Sequence, residues 1–147
     1  MRAASRAQAL VFLAAALPVF VSMAGLAIDG ALLLAARREL QSAVDGSARA
    51  GATRLDMDLL RDSGEVRLDQ AQARSASLSY LDEWVARDVV WQAPPEVFVD
   101  VTRVRVRVAV EGNLRPAFLR IAGIERVPVA ASADADVQFG IRGPGDP

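Results

Sequence analysis

The sequence contains no cysteine, no histidine and no lysine. Without Cys there is no disulfide framework, thiolate nucleophile or zinc-thiolate site, and an oxidising compartment is neither required nor excluded. Without His as well, the Ser-His-Asp and Cys-His constellations, histidine-ligated zinc and most general-base arrangements are closed to the chain. All 17 basic side chains are Arg, and Ala fills 28 of 147 positions; GC-rich coding explains that bias more simply than a basic binding surface does. Excess charge is lacking too. The net charge is −1, and the part after Ala36 holds 15 Arg against 17 Asp and Glu, so there is no electrostatic case for nucleic acid.

What the chain has is a long uncharged run. Ala9 to Ile28 is 20 residues with Ser22 as its one polar side chain, which at 1.5 Å per residue spans about 30 Å, one hydrocarbon core. Arg2 and Arg6 precede it, and Gly25-Leu26-Ala27 offers a small-x-small cleavage site, so a secretory signal peptide is the competing reading. The run exceeds the usual h-region, and helical sequence of the same period follows it, which favours an uncleaved anchor. Arg37 and Arg38 balance Arg2 and Arg6, so the orientation rests on the long charged domain being translocated and the short amino-terminal tail staying behind. The division expected is a cytoplasmic tail at 1–8, a transmembrane helix at 9–28, an extracytoplasmic domain at 29–139 and a disordered tail at 140–147. Pro18 should bend the span, and Asp29, directly after it, is expected as a solvated residue at the outer interface.

No proline lies between Pro18 and Pro94, and Leu33, Ala36, Leu40, Ala43, Val44, Ser47, Ala48 and Gly51 recur at three- and four-residue steps. The span helix should therefore continue outside the bilayer, with a small-residue face that needs a partner surface. Asp62-Ser63-Gly64 is the first clear break. Asp69 and Gln72 then fit a capping box for a second helix reaching about Arg87, with Ala73, Ala76, Tyr80, Leu81, Trp84 and Val85 as its apolar stripe and Tyr80 and Trp84 as core anchors.

After Pro94-Pro95 the period changes to two. Val104, Val106, Val108 and Val110 point one way and Arg103, Arg105 and Arg107 the other, while Val97, Val99 and Val101 have the opposite parity. A bulge or tight turn near 100–103 is needed to bury both valine sets, in one bent strand or a hairpin. The Arg row reads as a solvated strand face rather than a phosphate stripe. Glu111-Gly112-Asn113 should turn the chain, and Pro116 and Gly123 bracket one or two helical turns. A last strand buries Val127, Val129, Ala131, Ala133, Ala135 and Val137, and Pro128 sends it to an edge. Its small face could sit close on the small-residue face of the long helix. The fold class is α+β: a long helix, a second helix, and a small antiparallel sheet of about three strands.

The segments RAQALVFLAAALPVF and AGLAIDGALLLAARRELQSAVDGSARAGA resemble the N-terminal region of the TadE/TadG-like proteins of tight-adherence, or Flp-type, pilus assembly systems. The resemblance covers about residues 6–52 and rests on Arg6, Gln8, Leu17-Pro18, Asp29, Arg37-Arg38, Gln41, Ala43, Asp45, Ala48, Ala50, Gly51 and Ala52. Phe118-Leu119, Gly123-Ile124 and the following strand are similar to the end of TadE-like domains. Pseudopilin members carry Gly and Glu where Ala7 and Phe12 stand here, so the resemblance is to the TadG-like branch or a divergent minor component rather than a polymerising pilin. The von Willebrand factor A-type domain of the large members needs Asp-x-Ser-x-Ser, and Asp45-Gly46-Ser47-Ala48-Arg49 lacks the last Ser.

The resemblance implies a pilin-like arrangement and a membrane-anchored structural or assembly component of a bacterial pilus or related secretion system. It implies a place in the inner membrane and, as partners, membrane lipid and other pilus-assembly proteins met through the long helix and outer domain; no cofactor or metal is expected. It marks Pro18, Asp29, Gln41, Asp45 and Gly51 as motif or partner-contact candidates. Neither nucleic acid nor a small-molecule substrate is expected. An exported binding domain released after Ala27 is the alternative, and a hydrolase using Asp134 and Asp136 is the enzymatic one; no enzyme activity is expected.

Overall fold

An alanine-rich opening whose one proline is Pro18 folds as a single helix. In the computed structural model, which describes residues 2–84 and 89–137, α1 runs Arg2–Ala52 and continues through Pro18. Its length is roughly 75 Å. The first half is bare: the large apolar side chains from Leu10 to Ile28 are 46–68% exposed. The second half is the spine of an α+β domain, with Leu40, Ala43, Val44 and Ala48 all but fully buried.

The long helix ends ten residues before the expected break. Thr53–Asp56 leave it, and Asp56 caps a short helix, α2 (Met57–Ser63), by accepting from the Leu59 N–H at 3.0 Å. Gly64, read from the sequence as the stop of the long helix, is the left-handed cap of α2 instead, at φ 69°. A bridge between Leu55 and Leu68 closes this excursion. Asp69 then caps α3 (Gln70–Glu83), accepting from the Gln72 N–H at 2.9 Å. The capping box is only half formed, because the Gln72 amide turns to the Asp69 carboxylate rather than to its backbone. α3 stops at Glu83, four residues short of the expected end, and Val85 to Asp88 lie outside the described residues.

The sheet has four strands rather than about three: β1 (Val89–Trp91), β2 (Glu96–Asp100), β3 (Arg105–Leu114) and β4 (Val127–Asp136). All pairings are antiparallel. β4 pairs with β3 along its whole length, so β2 and the three-residue β1 share the other edge of β3 end to end. The Val97 and Val104 sets are reconciled by a hairpin. Asp100 accepts from the Thr102 and Arg103 N–H groups, both at 3.0 Å, and Val104 takes φ 53°. Glu111-Gly112-Asn113 does not turn the chain. Gly112 is buried inside β3, where a Cβ would meet Val89 Cγ1 at 2.6 Å, so the glycine marks a close approach within a strand.

The bracketed segment behind Pro116 is one 3-10 turn, Leu119–Ala122, ended by Gly123 at φ 86°. β4 is an edge strand, as Pro128 requires, and buries Val129 and Ala131. α1 lies across β3 and β4 while α3 packs on α1 and β2. The core is filled by Leu40, Val44, Val106 and Val108. Tyr80 is a correction: it is 40% exposed and covers Gly46 from the rim instead of anchoring the core. Trp84 is half-buried against the core.

Candidate functional site

Two surfaces organise around α1: a stripe facing the domain and an apolar half that the other described residues leave mostly uncovered. The domain-facing stripe begins lower than the sequence suggests, at Gly25. A Cβ there would lie 2.9 Å from the Phe118 side chain, so only glycine lets the loop between β3 and β4 rest on the helix. One turn on is Asp29, which has no exposed surface. Its Oδ1 accepts from the N–H groups of Ala117 at 2.7 Å and Phe118 at 3.1 Å. Its Oδ2 accepts from Phe118 at 2.9 Å and Leu119 at 2.5 Å.

Asp29 is therefore not a solvated boundary residue. It is a buried carboxylate clamping three consecutive backbone donors 88–90 residues away in sequence. Burial works against its charge, and the hydrogen bonds from Leu119, Ala117 and Phe118 outweigh that, holding the carboxyl below its ordinary range.

The other singled-out residues are scattered along the helix. Pro18 lies in the exposed half, where Ser22 Oγ donates to its carbonyl at 2.8 Å. Gln41 reaches the β4 edge: its Nε2 donates to the Ser132 carbonyl at 3.0 Å and to Asp45 Oδ1 at 3.1 Å. Gly51 is buried under α3, where a Cβ would run into Ser77 Oγ and meet the Ala73 carbonyl at 3.0 Å. Pro18 and Asp29 thus belong to the lower half of the helix, and Gln41, Asp45 and Gly51 to its seam with the domain. Sequence reasoning passed over Ser77, which forms a reciprocal buried pair with Ser47, each hydroxyl donating to the other's carbonyl at 2.9 and 3.0 Å. It also passed over Gly25 as a packing residue; the signal was its i,i+4 relation to Asp29.

The acids proposed for hydrolysis are engaged elsewhere. Arg107 forks onto Asp134 at 2.7 and 3.3 Å, and Arg105 onto Asp136 at 2.5 and 2.9 Å. The hydrogen bond from Arg107 holds the Asp134 carboxyl below its usual range, and that from Arg105 does the same for Asp136. Two ionised carboxylates, each with a guanidinium, do not form the acid and base pair that glycoside-type hydrolysis needs. The Arg row is half of a cross-strand ladder.

Among the described residues, one helix, α1, is long and apolar enough to cross a membrane. No curated protein and no solved structure matches the chain. A family model does match, the one described as "Putative Flp pilus-assembly TadE/G-like", over residues 7–54. That interval, residues 7–54 of 147, takes in the bare half of α1, Asp29 and the seam through Gly51, and over it the chain is similar to that family model.

Proposed function

We propose that the chain is a membrane-anchored structural component of Flp-type pilus assembly, minor-pilin-like or TadG-like, with no catalytic role. Residues 9–28 cross the cytoplasmic membrane, 1–8 stay in the cytoplasm, and 29–139 form the outer domain that meets other assembly proteins. The observation that carries this reading is one continuous helix, apolar and uncovered over Leu10–Ile28 and buried as the domain's spine from Leu40 to Ala52. An uncovered apolar surface of that length needs lipid or a partner helix. The family match supports a pilus-assembly component. Pro18 serves the span, Asp29 the join between span and domain, and Gln41, Asp45 and Gly51 the helix face on which the domain is built. Partners meet the long helix and the outer domain, and neither nucleic acid nor a small molecule is a ligand.

Release by signal peptidase after Ala27 fits the geometry poorly. It would remove Gly25 from under Phe118 and leave Asp29 as the second residue of a frayed end, although that carboxylate holds three backbone donors. Deletion of the gene in its native host, with complementation by the full chain, tests the assembly role. Loss of surface pili restored by the full-length chain is expected, and normal piliation in the deletion strain would overturn it. Amino-terminal sequencing of the membrane-fraction protein gives a start before Ala9 if the anchor is retained, and a start at Ile28 contradicts it.

A further inference from the structure

The loop between β3 and β4 lies too low on α1 to stand clear of a bilayer that the helix crosses. Phe118 rests on Gly25, and a groove lined by Val21, Ser22, Leu26, Phe118, Leu119 and Ile121 runs between loop and helix. Gly25 and Val21 lie about 5 and 10 Å below Ile28, the end of the uncharged run. That is the depth at which interfacial segments sit.

The loop has the surface of a lipid-facing element. Ile121 is 86% exposed, Ile124 44% and Phe118 39%, with the exposed Arg120 between them. Irregular backbone at membrane depth must have its polar groups satisfied internally, and six N–H groups of residues 117–124 have such partners. Pro116 has no N–H. Those of Ala117, Phe118 and Leu119 go to Asp29, and those of Ile121, Gly123 and Ile124 to carbonyls of Phe118, Arg120 and Leu119. Asp29 thereby acquires a reason to be a carboxylate: one side chain pairs three donors that lipid could not.

We propose that residues 117–124 dip into the outer leaflet beside the span, with Ile121 and Ile124 among the upper acyl chains, Arg120 at the headgroups and Asp29 as the clamp that holds the loop down. This rests on the membrane reading given above for residues 9–28. The docked loop makes a second apolar contact beside the helix and fixes the height of the outer domain over the membrane.

The natural absence of cysteine allows single-site labelling of the full chain. Ile121→Cys, at a side chain that packs on little, carries an environment-sensitive fluorophore in phosphatidylcholine and phosphatidylglycerol vesicles. Quenching is read with lipids spin-labelled near the headgroup or near the acyl-chain end. Leu17→Cys reports on the span, and Asp62→Cys on the far end of the domain. The Ile121 label should be quenched severalfold more by the shallow quencher than by the deep one, the Leu17 label the reverse, and the Asp62 label by neither. Quenching at Leu17 with none at Ile121 overturns the loop insertion and leaves the anchor standing. Absence of quenching at Leu17 removes the anchor, and the loop proposal falls with it.

Discussion

Asp29 ties the lower part of α1 to the loop behind Pro116, one turn above the packing of Phe118 on Gly25. Asn in its place keeps one acceptor oxygen and loses the charge that the donors favour, while Ala takes the acceptor away from three partly buried N–H groups. Asp29→Ala should therefore raise amide hydrogen exchange at Ala117, Phe118 and Leu119 about tenfold or more, with Asp29→Asn intermediate and β3 unchanged. Equal protection in all three proteins would show that the clamp is not what orders the loop. Leu40, fully buried at the centre of the core, sets a contrasting case: Leu40→Ala should cost about 2–5 kcal/mol in a denaturant titration in detergent.

At this scale the sequence pointed to Asp29 by its place at the end of the uncharged run, but not to its burial. The partners lie 88–90 residues away, and nothing local distinguishes a clamped carboxylate from a hydrated one. Val104 is illegible for a different reason. A β-branched residue avoids positive φ when judged alone, and here packing against the core outweighs that preference.

The elements that could be read were those whose period repeats. β3 announced itself by alternation as far as Val110, β4 by alternation along its whole length, α1 by its three- and four-residue steps, and α3 by Asp69 as cap. β1 is three residues long, too short for a period, and Gly112 looks like a turn residue until β1 is laid beside it. The close seam between α1 and α3 gives a test in which propensity and packing oppose each other. Gly51→Ala gains helix propensity, yet its Cβ would press on Ser77 Oγ and the Ala73 carbonyl. Packing should win, with a loss of about 1–3 kcal/mol in thermal melts; a stabilised protein would mean that the seam is looser than described.

The β3 and β4 ladder belongs to the same scale. Asp134 and Asp136 have lowered carboxyl pKa values in the fold, through Arg107 and Arg105 respectively. The folded chain thus takes up protons less readily than the unfolded one. Their contribution is fully present above the unfolded carboxylate pKa of about 3.9 and is lost as pH falls through the folded values. Melting temperature should be flat from about pH 7 to 5 and fall below about pH 4. Replacing both acids by Asn should flatten that acid limb.

For the whole molecule, composition excluded most chemistry and the uncharged run supplied the architecture, while the identity of any one partner was not legible because a surface for another protein has no period or motif of its own. What the structure adds to the expected continuous helix is the burial of its second half: α1 is both the apolar rod and the spine of the α+β domain. The most direct measurement is extraction of the full-length chain from host membranes with alkaline carbonate. The account expects the protein, at its uncut mass, to stay in the pellet until detergent is added. Full-mass protein in the carbonate supernatant would contradict it.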